Sequence, residues 1–477
     1  MKTNSFDKNK VGADILNLIE RLFPICRSIT GDGVRETLSI IAEYIPLKIT
    51  EVKSGTKVND WEVPDEWNIK DAWIKNSSGE KIVNFKDSNL HVLNYTAPVN
   101  KKVILSELKE HVFTLPDQPD LIPYRTSYYD RNWGFCMSHN QFESLEDELY
   151  NVFIDASIKP GFLTYGEYLL KGETDDEVIL ICHVCHPSLC NDNLSGIAVA
   201  NELYKCLKQQ NLKYSYRFLF IPATIGSITW LSKNEDNVNK IQHGLVLTLL
   251  GDQGKFNYKK SREGNYEIDN IVENVLKNKL EEYNILEFSP YGYDERQFCS
   301  PGYNLPVGRI SRTPHAEYPE YHTSADNLDF VKEDKMVESL EIVLHIISTI
   351  ENNAIYLNLK PKGEPQLGKR GLFRGISGQS NMKNYQMALL WVLNQSDGNH
   401  SLLDISNKSG IDFDEIKFAA NALENVELRL EVNRHNYLQN NPFYRQLVGD
   451  SHYKNWNDLP VLNKKSLQKP LLERLSQ

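Results

Sequence analysis

Residues 178–207 read VILICHVCHPSLCNDNLSGIAVANELYKCL and join a wholly apolar run to a segment with helical periodicity. The run Val178–Cys182 has the length of a strand, and its lack of polar positions is typical of a strand buried on both faces of a parallel sheet. From residue 195 to residue 209, apolar side chains recur on one face at helical spacing. The stretch therefore predicts a strand, a loop and a helix of an α/β fold, with His183 at the strand end.

The same pattern returns along the central region of the chain. Apolar runs at residues 216–221, 245–250 and 305–310 predict further buried strands, and residues 336–350 predict a long amphipathic helix. Residues 11–45 also show helical spacing. Because strand and helix signals alternate, we expect an α/β fold with a mainly parallel mixed sheet and helices on both faces.

Changes in composition divide the chain into domains. We expect a discontinuous α/β domain formed by residues 1–56 and 151–360. Residues 57–150 are rich in proline, aromatic residues and short β-type runs, which predicts a small β-rich inserted domain. Residues 361–440 begin with a Gly- and Pro-rich linker and continue with three short helices, as in a winged-helix domain, and residues 441–477 are a polar tail.

Two details of this division concern the inserted domain. The strand predicted at Val152–Asp155 is assigned to the α/β domain that resumes after the insert. The aromatic residues between positions 61 and 135 are interpreted as the core of the insert, with a sugar-binding platform as the alternative.

Composition excludes several classes of function. The 477 residues include 53 basic and 64 acidic side chains, and the net charge of −11 argues against a protein that binds nucleic acid or an anionic membrane. No apolar run approaches the roughly 20 residues of a membrane span, and the N-terminus lacks the apolar core of a secretion signal. Seven cysteines, an odd number, favour reduced thiols and hence a cytoplasmic location.

The loop after the first apolar strand contains candidate metal ligands. His183 ends the strand, His186 follows in the loop, and Asp192 opens the next helix. Ligand sites of parallel sheets lie at the carboxyl ends of the strands, and imidazole and carboxylate are typical zinc ligands. The alternative is that the histidines are hydrogen-bonded core residues and that Asp192 caps the helix.

A second block, YPEYHTSADNLDF at residues 318–330, supplies a further histidine. His322 lies in a loop ahead of the long helix and is a candidate ligand, whereas the alternative is a surface histidine in a capped turn. The two blocks together are more informative than either one alone.

Together these blocks resemble the bacterial zinc aminopeptidases of the co-catalytic two-metal type. Those enzymes have a histidine at a strand end, an Asp-Asn-x-Ser-Gly segment and a late His-Thr-x-x-Asp segment. More narrowly, the chain resembles a bacterial family of aminopeptidase-like proteins with an inserted β module and a C-terminal winged helix, often linked to polysaccharide biosynthesis. Residues 63–69, 122–129 and 294–298 carry this narrower resemblance.

The resemblance implies a set of ligands for one or two Zn²⁺ ions. His183 would bind one ion, Asp192 would bridge, and His322 would complete the first site. Asp252, after the strand at 245–250, would serve the second ion. His186 competes with His183 for the first position, and the two could share a site.

The chain departs from the aminopeptidases where they have two successive glutamates, one a general base and one a ligand. Ala223 and Thr224 stand at those positions. Loss of a general base costs about 10² to 10⁴ in rate. Glu295 is the favoured substitute base, with Glu317 and Glu320 as alternatives, and an exposed salt bridge is an equally good reading of Glu295.

Two arginines are candidate ligands for a substrate carboxylate. Arg296 and Arg312 could form bidentate hydrogen bonds to it, although structural ion pairing is the alternative for both and the favoured reading of Arg312.

These observations predict a zinc-dependent, aminopeptidase-like hydrolase that acts on an amide bond of a small peptide or of an aminoacyl or sugar-linked substrate. The loss of both glutamates leaves two alternatives, a catalytically altered metal-binding or scaffold protein and an acyl-transfer enzyme. Residues 384–431 carry eight acidic side chains against three basic ones, so the winged helix is not expected to bind DNA. A homo-oligomer contact or a protein partner is its expected role.

Overall fold

The computed structural model describes residues 6–372 and 379–432. The chain divides into two compact units, Met1–Glu351 and Asn352–Gln477. Each unit is described by itself below. In the described residues, no helix combines the length and the apolar character that crossing a membrane requires.

An eight-stranded mixed sheet forms the centre of the first unit. In spatial order its strands are Lys48–Lys53, Phe162–Leu170, Ser215–Ile221, Glu177–His183, Ile241–Leu247, Val307–Ser311, Phe256–Lys259 and Tyr283–Leu286. The four middle strands are parallel. Every residue of Glu177–His183 is buried, as its apolar sequence predicts.

Helices alternate with these strands along the chain. The α-helices of the first unit outside the insert are Lys8–Leu22, Asp32–Ala42, Ser195–Leu207, Ile225–Lys233, Glu267–Lys279, Glu295–Phe298 and Glu333–Asn352. A 3₁₀ segment covers Glu235–Lys240. The predicted mixed α/β fold is confirmed, and it brings the carboxyl ends of the four parallel strands to one edge.

The inserted region forms its own antiparallel sheet. In spatial order its strands are Lys81–Asn84, Glu66–Lys75, Leu149–Lys159 and Val99–Ile104. The assignment of Val152–Asp155 to the α/β domain was wrong, because the strand Leu149–Lys159 pairs on both sides with strands of the insert. The buried and less buried residues alternate along much of this strand, as is typical of a sheet with one covered face.

Shorter elements complete the insert. They are the paired strands Lys57–Val58 and Trp61–Glu62, the paired strands Val112–Phe113 and Phe135–Cys136, the 3₁₀ turn Asn89–His91, and the helices Leu105–Glu110 and His139–Glu143. Core packing explains some of its aromatic residues, such as Phe135 and Tyr150, which are buried. Trp73 and Phe153 are partly buried and stack on each other with ring centroids 5.1 Å apart.

In its described residues, the second unit contains a three-stranded sheet and three α-helices. The strands, in spatial order, are Asp397–Ser401, Ile355–Asn358 and Arg429–Val432, and the helices are Gln379–Gln395, Leu402–Ser409 and Phe413–Asn425. The expected boundary at residue 360 was too late, because Ile355–Asn358 is the middle strand of this sheet. The predicted tail, residues 441–477, lies outside the described residues.

Candidate functional site

Two ends of secondary structure bring the first two predicted ligands together. His183 is the last residue of its strand, and Asp192 lies in the turn Cys190–Leu194 that precedes the helix Ser195–Leu207. Both side chains are fully buried, and Nε2 of His183 lies 2.7 Å from Oδ1 of Asp192. The sequence prediction of a contact at this edge of the sheet therefore holds in the structure.

Two further imidazoles surround the other oxygen of Asp192. Nε2 of His322 lies 3.0 Å from Oδ2, and Nε2 of His186 lies 3.9 Å from the same atom. Ligand atoms of His183, His186 and Asp192 all lie within 4.8 Å of one another. We call His183, His186, Asp192 and His322 the His₃Asp cluster.

The protonation states within the His₃Asp cluster suit metal binding. Burial acts to raise the pKa of Asp192, but the adjacent imidazoles hold it well below its usual value. Burial, together with the neighbouring histidines and Arg27, lowers the pKa of His186 to about 3. An ionised carboxylate and a neutral imidazole are the forms that bind a metal.

Asp326 fixes the backbone beneath the cluster. Its carboxylate accepts the backbone N–H of Asn191 at 2.6 Å and that of Asp192 at 3.1 Å. Burial raises the pKa of Asp326 to about 8. The sequence analysis did not predict that Asp326 would accept these backbone hydrogen bonds. The available signal was a carboxylate four residues after His322.

The inserted domain contributes a lid residue, Tyr124. Its backbone N–H donates to the carbonyl oxygen of His322 at 2.7 Å. Its ring meets the rings of His186 and His322 edge-on, with centroids 5.2 Å and 4.9 Å apart. The insert thus covers the His₃Asp cluster, which no pattern in the sequence predicted.

Tyr293 and Asp294 lie behind His183. The ring of Tyr293 stacks on that of His183 at a centroid distance of 4.9 Å. Asp294 accepts a hydrogen bond from Oγ of Ser227 at 2.6 Å, and burial raises its pKa to about 6. Among the described residues, the second oxygen of Asp294 and Nδ1 of His183 are both buried without a hydrogen-bond partner.

Glu295, the predicted base, lies in a buried ion pair. Its buried carboxylate lies 2.9 Å from Nζ of Lys259 and 3.9 Å from Nη1 of Arg309. The ammonium holds one carboxylate oxygen as a buried ion pair, which contradicts the alternative of an exposed salt bridge. The other carboxylate oxygen is buried without a hydrogen-bond partner among the described residues, and the role as base stays a prediction. The same Nη1 atom of Arg309 lies 3.0 Å from Nδ1 of His315.

His315 is therefore a neutral imidazole of defined tautomer. A guanidinium only donates hydrogen bonds, so Nδ1 of His315 accepts and its proton resides on Nε2. Burial and the charge of Arg309 lower the pKa of His315. Its ring contacts Tyr293, with centroids 5.5 Å apart. The sequence analysis missed His315 because the spacing of Arg309 and His315 does not indicate that their side chains form a hydrogen bond.

Asp252 is engaged outside the His₃Asp cluster. Its oxygens accept hydrogen bonds from Oγ1 of Thr313 at 2.7 Å, the backbone of Gly254 at 2.7 Å and Nδ2 of Asn191 at 3.0 Å. The carboxylate orders loops at the sheet edge and is not among the residues with converging ligand atoms. Like His322, Asp252 is outside the group formed by His183, His186 and Asp192, and its role as a second-metal ligand stays a prediction.

The two predicted substrate-binding arginines have different surroundings. Arg312 is buried and donates to Oγ of Ser339, to the carbonyl oxygens of Gly254 and Lys335 and to the carboxylate of Glu338, which is a structural role. Arg296 follows the Asp294–Glu295 pair and is partly buried, and its Nε atom has no hydrogen-bond partner among the described residues.

Comparison with known proteins identifies the family. Residues 16–353 match the family described as a domain of unknown function, DUF4910. The chain belongs to this family. A Clostridium acetobutylicum protein, provisionally named a polysaccharide biosynthesis protein with an aminopeptidase-like domain, is 55% identical over 88% of this chain and 97% of its own length. Residues 354–430 match a winged helix-turn-helix family.

Solved structures place this DUF4910 chain on the aminopeptidase fold. A crystal structure from Clostridium acetobutylicum, provisionally described as a peptidase, shares 54% identity, covers 89% of this chain and 97% of its own, and has a TM-score of 0.85. The zinc aminopeptidase of Bacillus subtilis has 12% identity, covers 73% of this chain and 96% of its own, and has a TM-score of 0.54. The second likeness concerns the fold alone.

The donor set of this family member is of a kind that fits zinc. Three imidazole nitrogens and one ionised carboxylate converge, which is a typical zinc donor set. Ala223 and Thr224 follow the strand Ser215–Ile221 without a carboxylate, and Oγ1 of Thr224 accepts from Gln297 at 3.3 Å. Asp252 accepts hydrogen bonds from Thr313, Gly254 and Asn191, and of the second-site carboxylates of the aminopeptidase pattern it is the one that this chain retains.

Proposed function

We propose that this chain is a zinc-dependent hydrolase of aminopeptidase-like type, which cleaves an amide bond in a small peptide or in an aminoacyl or sugar-linked substrate. The observation that carries the proposal is the His₃Asp cluster, in which Asp192 is surrounded by imidazoles at the carboxyl end of a parallel sheet. His183, Asp192 and His322 would hold the ion, with His186 as the fourth donor.

Zinc would supply a bound water of lowered pKa and a positive charge that stabilises the oxyanion of amide hydrolysis. The protein's own contribution is to order the ligands and to exclude bulk water. Asp326 holds the turn that presents Asp192, and Tyr124 covers two of the imidazoles. Tyr293 restricts the ring of His183 from the other side.

His315 supports the same chemistry as a neutral hydrogen-bond donor. Its Nε2–H is set by the contact with Arg309, and the charge of Asp192 is close enough to act on its pKa. A neutral imidazole can polarise a carbonyl group without supplying a full charge, as a donor in an oxyanion site does.

The second candidate is a metal-binding protein with altered catalysis, and one observation favours it. Neither Ala223 nor Thr224 can act as a carboxylate base, and Glu295 is paired with Lys259. We therefore expect slow turnover. Cytoplasmic location and a small-molecule or peptide substrate remain part of the proposal, as does a protein contact, with a partner or a second copy, through the winged helix.

Metal titration followed by a substrate panel tests the proposal. The full chain, stripped with EDTA, is titrated with Zn²⁺ and analysed by elemental analysis, and is then assayed on aminoacyl-coumarin amides and N-acyl amino sugars. We expect one ion per chain and zinc-dependent hydrolysis of at least one class. Binding of zinc without hydrolysis of either class would favour the second candidate, and no binding would overturn both.

Two variants assign the site. His322→Gln and His183→Ala should weaken zinc binding at least tenfold, while His400→Ala is the matched control, since His400 also pairs with an aspartate, Asp397 at 2.9 Å, outside the cluster. Circular dichroism verifies that each variant is folded. Unchanged zinc affinity in folded His322→Gln and His183→Ala proteins would contradict the assignment.

A further inference from the structure

Two large aromatic side chains of the insert are exposed instead of buried in its core. Trp61 is 48% exposed and Tyr129 is 50% exposed. Their ring centroids lie 5.6 Å apart at an interplanar angle of 52°. Large aromatic side chains stabilise a fold when they are buried in its core. Because these two adjacent rings are exposed, we interpret them as a contact surface for a ligand.

The local backbone presents both rings outward. Trp61 follows the tight turn at Asn59, whose φ of 56° lies in the left-handed region that asparagine tolerates. Tyr129 itself has a φ of 65°, which a bulky side chain rarely adopts. Neither ring is exposed merely because it sits at a frayed end.

A row of aromatic contacts joins this pair to the His₃Asp cluster. Tyr129 contacts Tyr128 with centroids 6.4 Å apart, and the hydroxyl of Tyr128 lies 2.8 Å from that of Tyr124. Tyr124 in turn contacts the rings of His186 and His322. Packed side chains therefore link the exposed pair to the candidate site.

We propose that Trp61 and Tyr129 form a glycosyl-binding subsite that receives the sugar part of a substrate whose amide group lies at the His₃Asp cluster. The C–H faces of a pyranose ring are apolar and stack on aromatic rings, while its hydroxyls need polar partners at the rim. Arg131 and Asp65, which pair with each other at 3.1 Å and lie two residues after Tyr129 and four after Trp61 in the chain, provide such partners. This inference rests on the proposed function for the identity of the reacting group.

Another occupant of an aromatic pair, a nucleic acid, fits the surroundings less well. The net charge of −11 opposes a nucleic acid. A sugar does not carry this cost, and the relative named for polysaccharide biosynthesis agrees with this class.

Glycan binding by metal-free protein tests the subsite separately from hydrolysis. The full chain in EDTA is applied to an array of bacterial glycans, and hits are measured by calorimetry with the free oligosaccharide. We expect at least one hit, with affinity reduced fivefold or more in Trp61→Ala and in Tyr129→Ala. Phe418→Ala is the control, because Phe418 is 61% exposed in the other unit.

The outcomes separate the two proposals. Zinc-dependent hydrolysis without glycan binding would overturn the subsite and leave the proposed function intact. Glycan binding without zinc binding would overturn the proposed function and leave the glycan subsite intact. Glycan binding that is unchanged in both folded variants would also overturn the subsite. Binding of peptides instead of glycans by the Trp61–Tyr129 pair would replace the sugar with a peptide ligand.

Discussion

Nζ of Lys259 lies 2.9 Å from the carboxylate of Glu295, and both side chains are almost completely buried. The pair gives a structural role to a glutamate in a loop that resembles an active-site loop. Removing either partner leaves the other charge in a medium of low polarity, which is more costly than the pair itself. Arg309, next to the same carboxylate, adds a second buried positive charge.

Glu295→Gln should therefore destabilise the fold before it affects chemistry. We expect a loss of about 3–5 kcal/mol in the free energy of unfolding, the range for breaking a buried pair. Urea denaturation of the metal-free chain measures it, with Lys171→Met as the control, because Lys171 and Asp175 form an exposed pair that should matter little. A stable Glu295→Gln protein would contradict the structural role.

The fold was largely predictable because its signals are local. The apolar run at residues 178–182 predicts a strand, and the helical spacing after Ser195 predicts a helix. Neither prediction needs information from the rest of the chain. Strand Leu149–Lys159 was misassigned because its sheet depends on partners more than 40 residues away, which periodicity does not reveal.

The candidate site was predictable only in part. His183, His186, Asp192 and His322 were found because strand ends and helix starts are visible in sequence. Tyr124 and His315 were missed, since their contacts join elements that are distant along the chain. The hydrogen bond from the hydroxyl of Thr313 to Asp252 was also not predicted, because spacing does not reveal it.

His186 should make the metal-free protein sensitive to acid. Its folded pKa of about 3 is below the ordinary value of 6.5, so the unfolded chain binds the additional proton between these pH values. The contribution of His186 to the free energy of unfolding is complete above pH 6.5 and decreases as the pH falls. At pH 5 it is smaller by about 2 kcal/mol. The difference between the urea midpoints at pH 5 and pH 7 should be smaller in His186→Gln than in the unmodified chain. An equal difference in the two proteins would contradict a buried, neutral His186.

Zinc should stabilise the chain through the His₃Asp cluster. A ligand that binds only the native state adds about 2.7 kcal/mol at a concentration one hundred times its dissociation constant. Thermal unfolding of EDTA-treated protein with added Zn²⁺ should show this gain, and Asp192→Asn should lose most of it. If zinc stabilised folded Asp192→Asn and the unmodified chain equally, the ion would be bound elsewhere.

Tyr124 should act through its ring more than through its hydroxyl. Tyr124→Phe removes only the hydrogen bond to Tyr128, whereas Tyr124→Ala also uncovers His186 and His322. We expect Tyr124→Phe to retain zinc affinity within about twofold, equivalent to 0.4 kcal/mol, and Tyr124→Ala to lose at least tenfold. Zinc titrations of the two folded variants compare them directly, and equal affinities would remove Tyr124 from its role as a lid.

The winged-helix unit should not bind DNA despite its family match. Residues 384–431 carry eight acidic and three basic side chains, so a duplex would meet net negative charge where phosphate contacts need lysine and arginine. We expect no binding of the full chain to a mixed 30-base-pair duplex below about 10⁻⁴ M at physiological salt, the weak end of non-specific affinity. Fluorescence anisotropy measures this, and micromolar binding that weakens steeply with salt would show that a basic surface exists which the charge count does not reveal.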